Sequence, residues 1–521
     1  TGCSDDPLAP DARVKTVDVL HAAKDTLAVG DSLELHAALL DDAGNEVPGA
    51  HVAWTTSDAG VFSVDSAGTA HAKAVGRATL HATVGTHEDS VQVLVYRVSL
   101  EASKQSLAVG VAAQATATLI GPDGPLPTGS QPLSLASTDT LVVRVDATTG
   151  ALLGSGHGTA SLVATSGASV DTVAMSVALP LIPLPVPLVA AVPGGRHACG
   201  ITADGVTYCW GASAAGIVTG SFGLAQYDVA PWMVSTGARF TSLAADRIGT
   251  CGWTADGATY CWGSNSRYSL APDTANGAWI DAPRAVKTSL AFASGSLHYG
   301  VGCGRTAAAE MYCWGDNYNG TLGHPTTDPN LLHGDTTIAR AEPDLHFSAY
   351  TTDGEATCGV ATEGGVWCWG LANGLVQQPN DRSTYVPVQV PNAPPLVTLG
   401  MAYSWALCGA TAAGDGYCLG DNNAGQLGRG TVDSDHHYSF APIAGDLKWT
   451  QFAGANQSMC GLTTAGKLYC WGKPAGYRGL DSTRPEPVAR DLTFRSIAGT
   501  VWNGWYCAVT VEGATYCFAE T

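Results

Sequence analysis

Apolar and polar residues alternate in short runs along most of the chain, a period of two that is typical of half-buried β-strands. The segment 76–83, GRATLHAT, is one such run, and glycine, aspartate and proline residues interrupt the runs. The 63 glycines and the many valine, threonine, alanine and tryptophan residues favour strands and turns over helices. The pattern therefore predicts an all-β protein, and 521 residues are too many for a single core.

One pattern occurs twice in the first 180 residues, about 80 residues apart. Each copy is a series of short alternating runs without cysteine, which predicts an antiparallel sandwich held together by packing alone. The second copy has Leu135 where the first has Trp54. The matching segments are 27–30 with 107–110 (LAVG in both), 54–58 with 135–139, 64–65 with 145–146 (VD in both), and 76–83 with 158–165.

The repeated pattern resembles the bacterial immunoglobulin-like (Ig-like) domains of adhesins and surface proteins, over residues 13–96 and 97–180. This resemblance implies two Ig-like β-sandwiches that serve as a spacer or in adhesion. Between the two copies there is no cluster of acidic residues of the kind that binds calcium. A stalk is therefore the simpler expectation for this part of the chain.

Fourteen cysteines follow Cys3, and each belongs to a pair whose members are separated by nine residues. Successive pairs begin 47 to 55 residues apart, a period typical of one four-stranded blade of a β-propeller. Seven copies of such a repeat can close a ring. The pairs are Cys199 with Cys209, Cys251 with Cys261, Cys303 with Cys313, Cys358 with Cys368, Cys408 with Cys418, Cys460 with Cys470, and Cys507 with Cys517.

Each pair flanks a predicted β-hairpin in which Cys199, for example, opposes Cys209. The Ala-Asp-Gly tip of that hairpin suits a three-residue turn whose last residue has a positive φ. Ala309 occupies this last position in the third pair, and glycine occupies it in the other six, at Gly205, Gly257, Gly364, Gly414, Gly466 and Gly513. Residues opposed in this way have Cβ atoms about 4.5–5.5 Å apart, which is close to the range of a disulfide.

Other roles explain the cysteines less well. Zinc knuckles require a C-x2-C spacing or nearby histidines, c-type haem requires C-x-x-C-H, and free structural thiols would not recur so regularly. We therefore predict one disulfide per blade, which places the chain in an oxidising compartment.

The residues around the cysteines also recur. The run G-x-x-H-x-C-G-[apolar]-T…G-x-x-Y-C-W-G, followed in some copies by G-D-N-x-x-G-x-L-G, resembles the repeat of the regulator of chromosome condensation in its secreted bacterial form. Segments 315–323 and 420–428 match the second part best. The resemblance covers residues 181–521 and implies a seven-bladed β-propeller. The departures are that the histidine occurs only as His197, and that Leu419 and Phe518 replace the tryptophan.

The recurring tryptophans, Trp210, Trp262, Trp314, Trp369 and Trp471, are expected to pack between blades. The seventh copy reaches only its third strand near Cys517, so we expect segment 181–188 to supply the fourth strand and close the ring. The predicted domains are an N-terminal tether (1–12), two Ig-like domains (13–96 and 97–180) and the propeller (181–521).

The chain begins Thr1-Gly2-Cys3, which resembles the end of a bacterial lipoprotein cleavage box followed by the cysteine that is lipidated. Because the other fourteen cysteines form pairs, we expect Cys3 to carry a lipid anchor; an incidental thiol at a frayed terminus is the alternative. The most apolar segment, 181–192, is too short and too rich in proline to span a bilayer. We expect a secreted or cell-envelope protein on the extracellular face, in contact with membrane only through Cys3.

The formal charge of −20 and the absence of any run among the 25 basic residues oppose nucleic-acid binding. Some acids, bases and histidines lie close together in the sequence, but none repeats a known catalytic spacing. Exposed acids on the loops of an acidic protein are expected to be solvated, so we predict no catalytic residue, metal site or cofactor. The pairs concerned are Asp246 with Arg247, Asp353 with Glu355, and His436 with His437.

In a four-stranded blade the loops between the first and second strands share one face with the loops between the third and fourth strands. These loops are expected to vary in length and content, whereas the cysteine hairpins on the other face hardly vary, so we expect a partner to bind the variable face. Tyrosine and tryptophan dominate binding hot spots. The candidate residues are His298, Tyr299, Tyr403, Trp405, Trp502 and Trp505. Rings that fill the central channel or pack between blades are the alternative.

The leading hypothesis is a non-catalytic cell-surface or secreted binding or adhesion protein, whose propeller presents its variable loops to a protein partner on an Ig-like stalk. A carbohydrate-binding propeller is the first alternative. A propeller enzyme, a hydrolase or a lyase, is a less favoured one.

Overall fold

A computed structural model describes residues 9–19, 25–109, 111–179, 181–195, 197–212, 227–234, 236–247, 249–324, 335–372, 374–376, 383–403, 406–472, 482–500 and 504–519. The chain divides into two compact bodies. The N-terminal body comprises Thr1–Leu107, Val111–Gly154 and Thr159–Ser176, and the C-terminal body comprises Ala108–Gly110, Ser155–Gly158 and Val177–Thr521.

The described residues form strands and turns almost throughout, so the predicted all-β class is confirmed. Their helical segments are a four-residue α-helix, Pro10–Arg13, and a 3-10 helix, Ser266–Tyr268. No helix in this part of the chain combines the length and the apolar character needed to cross a membrane.

The first seventeen strands are short except for β8, β9, β11, β16 and β17. They are β1 Thr16–Val19, β2 Thr26–Ala28, β3 Ser32–Glu34, β4 Ala37–Leu40, β5 Ala53–Thr56, β6 Phe62–Val64, β7 Thr69–Ala72, β8 Gly76–Val84, β9 His87–Ala102, β10 Ser106–Ala108, β11 Ala112–Gly121, β12 Gly124–Pro125, β13 Ser134–Ser137, β14 Val143–Val145, β15 Ala151–Gly154, β16 Gly158–Ser166 and β17 Ser169–Ala178.

The remaining strands belong to the C-terminal body. They are β18 Leu181–Ile182, β19 Ala190–Pro193, β20 His197–Ile201, β21 Thr207–Ala212, β22 Tyr227–Met233, β23 Phe240–Ala245, β24 Gly249–Thr254, β25 Thr259–Ser264, β26 Trp279–Ala285, β27 Phe292–His298, β28 Val301–Thr306, β29 Met311–Gly315, β30 Asp335–Arg340, β31 Phe347–Thr352, β32 Ala356–Ala361, β33 Val366–Gly370, β34 Thr384–Gln389, β35 Leu396–Ala402, β36 Ala406–Thr411, β37 Gly416–Asp421, β38 His436–Pro442, β39 Trp449–Gly454, β40 Ser458–Thr463, β41 Leu468–Gly472, β42 Ser482–Pro487, β43 Phe494–Thr500, β44 Trp505–Thr510 and β45 Thr515–Ala519.

In the N-terminal body the long strand β9 is shared by the two sequence repeats. Its residues 87–95 pair with β8, and its residues 97–102 pair with β11. Val93 and Val95 are buried in the first half, and Val98 and Leu100 in the second, so the buried face of the strand changes between the halves. The boundary that the sequence predicts between residues 96 and 97 thus falls inside one continuous strand.

Several aspartates that recur in the two repeats make equivalent hydrogen bonds. Asp65 and Asp146 each accept two backbone N–H groups of the turn that follows them, at 2.8–2.9 Å, and these bonds are the main reason that the pKa of each carboxyl lies below its ordinary value. Asp89 and Asp171 each accept a backbone N–H at 2.8 Å, from β1 and β9 respectively. The repeated sequence therefore specifies repeated turns and strand contacts.

The described residues of the C-terminal body form seven four-stranded antiparallel sheets, numbered here sheet 1 to sheet 7 in the order of their cysteine pairs. Sheets 1 to 6 each use four consecutive strands, from β19–β22 to β39–β42. Sheet 7 uses β43, β44, β45 and then β18. Leu181 pairs with Tyr516 and Ile182 with Thr515, so the prediction that segment 181–188 completes the last sheet is confirmed for these two residues.

A disulfide joins the second and third strands of every one of these sheets. The paired Cα atoms lie 4.0–4.1 Å apart, nearer to the close type of antiparallel pairing than to the wide type. All seven bonds are those that the sequence predicts. They join Cys199 to Cys209, Cys251 to Cys261, Cys303 to Cys313, Cys358 to Cys368, Cys408 to Cys418, Cys460 to Cys470, and Cys507 to Cys517.

The turn at the hairpin tip has the same backbone conformation in the sheet that has alanine instead of glycine at its last position. Ala309 in sheet 3 adopts φ 63°, in the left-handed region that Gly205 adopts with φ 81° in sheet 1. The predicted turn with a positive φ at its last residue therefore also forms in the sheet that lacks glycine at this position.

The tryptophan after the second cysteine links a sheet to the preceding one, as the sequence predicts. Trp314, Trp369 and Trp471 are fully buried. Their indole N–H groups donate to backbone oxygens in the third–fourth loop of the preceding sheet: Trp314 to Ser269 (2.9 Å), Trp369 to Thr321 (2.8 Å) and Trp471 to Gln426 (2.8 Å). Buried asparagines shape these loops, since the side-chain oxygens of Asn265, Asn317 and Asn422 accept the N–H groups of Leu270, Leu322 and Leu427.

An aromatic residue at the start of the first strand packs on the tryptophan of the same sheet. The ring centroids are 5.4–6.0 Å apart in the pairs Phe240–Trp262, Phe292–Trp314, Phe347–Trp369 and Trp449–Trp471. The sheet cores are therefore built from the cysteine hairpin, the tryptophan and this aromatic residue.

Trp471→Phe is expected to destabilise the protein more than Trp262→Phe, by about 1–2 kcal/mol in the free energy of unfolding. Both substitutions shorten a buried ring, but only Trp471 donates a hydrogen bond, because Trp262 Nε1 has no partner in the described part of the chain. Chemical denaturation of the two full-length variants, followed by circular dichroism, measures the difference. Equal losses would show that the indole bond between sheets contributes nothing.

Candidate functional site

The turns between the first and second strands are short. In four sheets the N–H of the residue after the first strand donates to a carbonyl three residues later: Gly194 to His197 (2.7 Å), Asp246 to Gly249 (2.9 Å), Asp353 to Ala356 (3.2 Å) and Ala455 to Ser458 (3.0 Å). In sheet 3, His298 pairs directly with Val301. The expectation that these loops vary in length is therefore wrong for these five sheets; they differ in their side chains.

The structure brings together three of the six candidate binding residues. His298 ends β27, Tyr299 follows it, and Tyr403 follows β35. Between them lies the turn of sheet 4, which contains Gly354 and Glu355: a Cβ on Gly354 would lie 2.6 Å from the Cβ of Tyr299, and the Tyr403 hydroxyl donates to Glu355 Oε1 at 3.4 Å.

The other three candidates do not join this group in the described structure. Trp505 begins β44 and is 40% exposed, and no described contact joins it to the tyrosines. Trp405 and Trp502 lie outside the described residues. Whether these six residues bind a partner stays a prediction.

Asp353 is completely buried at the base of the sheet 4 turn. Its Oδ1 accepts the backbone N–H groups of Glu355 (2.9 Å) and Ala356 (2.7 Å), whereas its Oδ2 has no hydrogen-bond partner in the described part of the chain. Burial raises the pKa of Asp353 to about 7, and the negative charge of Glu355 adds to the rise, against the effect of the two backbone bonds. The expectation that this acid is a solvated loop residue is wrong, because the short turn places its side chain in the protein interior.

Glu355 and Tyr403 share this unfavourable environment for negative charge. Burial raises the pKa of the half-buried Glu355, with the Tyr403 hydroxyl bond acting in the opposite direction. Burial is the main reason that the pKa of Tyr403 is raised to about 12, and the charges of Glu355 and Asp353 contribute to this rise. Loss of hydration lowers the pKa of the partly buried His298 to about 4, so this histidine is neutral at pH 7.

A cation already occupies the neighbouring position. The Arg267 guanidinium carbon lies 4.8 Å from the centre of the Tyr299 ring, and the same guanidinium forms an ion pair with Asp316. Arg267, Tyr268 and Tyr299 all have positive φ (59°, 60° and 37°), and they are three of the five non-glycine residues with this conformation in the described chain. Such strain concentrates where the fold holds side chains in a required position.

The sequence did not reveal the roles of Arg267 and Asp316. Asp316 belongs to the recurring G-D-N motif, but Arg267 follows the different sequence Gly263-Ser264-Asn265, and only the fold brings the two residues together. The described residues contain no group of three or more histidine, cysteine, aspartate or glutamate side chains that could hold a metal ion.

No protein-family model matches the chain. The chain is 25% identical over 228 residues to the human E3 ubiquitin-protein ligase HERC2, a match that covers 41% of this chain and 4% of HERC2. It is 27% identical over 176 residues to the ultraviolet-B receptor UVR8 of Arabidopsis thaliana, a match that covers 32% of this chain and 38% of UVR8. The chain thus spans less than half the length of either relative.

The fold is similar to that of Prp20p from Saccharomyces cerevisiae, whose crystal structure was described with its binding properties to Gsp1p and histones. The TM-score is 0.54 at 12% identity, with 75% of this chain and 92% of the yeast chain covered. The same yeast protein, named as yeast RCC1 in a complex with Kap60, gives a TM-score of 0.53 at 12% identity, with 75% and 89% covered. At such identities the similarity shows the fold alone, which is an RCC1-like β-propeller built from RCC1-like repeats.

Asp353→Asn is expected to change the free energy of unfolding differently at pH 5 and at pH 8, with the more stabilising effect at pH 8. The pKa of Asp353 is about 7 in the folded protein, above the ordinary value of 3.8. The protonated carboxyl therefore stabilises the folded wild type at low pH, and this stabilisation is lost as the pH rises through 7. The loss between pH 5 and pH 8 is about 3 kcal/mol, and the variant does not incur it.

Unfolding midpoints of wild type and variant from pH 5 to pH 8 measure this effect. Glu512→Gln removes an exposed carboxylate from a hairpin at the other end of the sheets and serves as the control. A difference between wild type and Asp353→Asn that stays constant over this pH range would contradict the assignment.

Proposed function

We propose that this chain is a non-catalytic binding protein that captures a protein partner on one face of its propeller. The binding face is formed by Arg267, Tyr299, Asp316, Glu355 and Tyr403, and is called here the tyrosine face. These residues come from four successive sheets, 2 to 5. Arg267 contacts Tyr299 and Asp316, Tyr403 contacts Glu355, and Tyr299 lies against Gly354, the neighbour of Glu355. This convergence of aromatic and charged groups, from the first–second turns of sheets 3 to 5 and the third–fourth loops of sheets 2 and 3, is the observation that carries the proposal.

The comparisons support a binding role. Prp20p was described with binding properties to Gsp1p and histones, and UVR8 is a receptor. HERC2 is a ligase, but the match covers 4% of its length. The tyrosine face contains two acids, one arginine and two tyrosines. This mixture of charged and aromatic side chains is more typical of a protein-binding surface than of side chains that fill the central channel.

For the architecture we propose that the seven sheets are the seven blades of the propeller and that residues 13–96 and 97–180 are two bacterial Ig-like domains forming a stalk. The equivalent aspartate contacts of the two repeats support the second assignment. Fourteen cysteines in disulfides favour an oxidising compartment, and so a secreted or cell-envelope location. A lipid anchor at Cys3 in the tether 1–12 is part of the same proposal; Cys3 lies outside the described residues.

We expect Tyr299→Ala and Tyr403→Ala each to weaken partner binding about 30-fold, as loss of a hot-spot residue does. The full-length oxidised chain is used to isolate partners from the native surface and secreted proteins, and affinities are then measured by surface plasmon resonance. Trp232→Ala is the matched control, since Trp232 is a 58% exposed aromatic residue on β22, outside the tyrosine face.

Isolation of a bound protein does not by itself support the proposed binding face. A partner that binds both tyrosine variants as tightly as wild type, or that is lost only with Trp232→Ala, would refute the proposed face. A glycan array probed with the same proteins covers the carbohydrate alternative: saturable glycan binding that depends on Tyr299 or Tyr403, without a protein partner, would replace the protein-binding function with a lectin function.

A further inference from the structure

Two adjacent parts of the tyrosine face each combine a tyrosine ring with acidic groups. In the first, the Arg267 guanidinium lies between the Tyr299 ring and the Asp316 carboxylate. In the second, Tyr403 lies beside the Glu355 carboxylate, with Asp353 beneath, and the described chain supplies no lysine, arginine or histidine partner to either carboxyl group. The second part thus combines a tyrosine ring with two carboxyl groups, and no described cation pairs with those carboxyl groups.

We propose that Asp353, Glu355 and Tyr403 form a pocket for one positively charged side chain, an arginine or a lysine, of the protein partner. This inference rests on the proposed function, because it names the chemical group that the partner places on the tyrosine face. The pocket provides a ring for cation–π contact and two carboxyl groups for charge-assisted hydrogen bonds.

The strongest geometric support is the free acceptor of Asp353. The residue is completely buried, its Oδ1 is held by two backbone N–H groups, and its Oδ2 has no hydrogen-bond partner in the described structure. Buried polar atoms in native proteins are nearly always paired, so an unpaired carboxylate oxygen calls for a donor. Asp353 Oδ1 accepts the backbone N–H of Glu355, and Glu355 Oε1 accepts the Tyr403 hydroxyl, so hydrogen bonds join the three members of the pocket.

The charges around the pocket make it selective for a cation. Glu355 on the same turn and Tyr403 of sheet 5 offer negative or neutral oxygens. From sheet 3, Tyr299 packs against Gly354 and interacts with Arg267, and His298 is neutral because its pKa is about 4. The phenol of Tyr403, with a pKa of about 12, stays protonated at neutral pH. Asp353, whose pKa is about 7, therefore changes its ionisation near neutral pH.

The probe is a capped tripeptide with a single arginine, acetyl-Gly-Arg-Gly-amide, and its neutral isostere with citrulline. Isothermal titration calorimetry with the full-length oxidised chain is expected to show millimolar binding of the arginine peptide and at least tenfold weaker binding of the citrulline peptide. The affinity is expected to rise about tenfold from pH 6 to pH 8, as a carboxyl group with a pKa of about 7 goes from about one-tenth to about nine-tenths ionised.

Two variants and a control test the residues. Glu355→Gln is expected to weaken arginine binding at least tenfold, and Asp353→Asn to weaken it and to remove the pH dependence. Glu512→Gln removes the same unit of charge at the other end of the sheets and is expected to leave binding unchanged. Equal binding of the two peptides, or equal weakening by Glu355→Gln and Glu512→Gln, would overturn the pocket, since either result means non-specific attraction to an acidic protein.

The isolated partner separates this inference from the proposed function. If Tyr299→Ala abolishes partner binding while Asp353→Asn and Glu355→Gln leave it unchanged, the tyrosine face stands and the cation pocket is wrong. If the arginine peptide binds as described but no partner depends on the tyrosine face, the pocket is real and the proposed protein-binding function is wrong. Thermal unfolding of each variant at pH 8 confirms that the variants are folded when binding is measured.

Discussion

The disulfide between the second and third strands is the constraint on which the C-terminal body depends. It closes each hairpin covalently at its middle, with the paired Cα atoms 4.0–4.1 Å apart. In sheets 3, 4 and 6 the tryptophan that follows the second cysteine then extends from the same hairpin to the loop of the preceding sheet. One short piece of sequence thus fixes both the inside of a sheet and its contact with the neighbouring sheet. Each bridge closes a loop of about ten residues, which in the chain-entropy model stabilises the fold by about 2–3 kcal/mol.

This bracing explains why the tyrosine face can be built from so few residues. The short first–second turns have little freedom, so a side chain on one turn lies against the next: Tyr299 lies on Gly354, and Tyr403 reaches Glu355. The longer loop that carries Arg267 is fixed from within by Asn265, whose amide oxygen accepts the N–H groups of Leu270 and Ala271 at 3.0 Å. The rigid turns hold the carboxyl groups of Asp353 and Glu355 in buried or half-buried positions, where contact with water is lost.

The regular part of the fold could be predicted from the sequence because its cause is local. Nine residues between cysteines specify a hairpin, and the pairing follows from the register of that hairpin, in which Cys251 faces Cys261 and Cys303 faces Cys313. The pairing of residues 181–182 with the last sheet followed from counting strands. The continuity of β9 could not be predicted in the same way, because alternation identifies a strand but not the core that each half of it joins.

The site was less predictable, because its contacts lie between sheets. His298, Tyr299 and Tyr403 were identifiable as polar or aromatic residues at turns, but the burial of Asp353 depends on the tight turn that draws its carboxyl inside. The ion pair between Arg267 and Asp316 joins loops of two different sheets, and no spacing in the sequence encodes it. Residues that act through neighbours distant in sequence become recognisable only once the order of the sheets is known.

The most direct test of this account is a disulfide map of the unreduced full-length chain by proteolysis and mass spectrometry. The account predicts seven linkages, each between two cysteines of one hairpin, from Cys199–Cys209 to Cys507–Cys517. A linkage between cysteines of different sheets, or free thiols among these fourteen residues, would contradict it, because the sheets would then lack the brace that holds the tyrosine face.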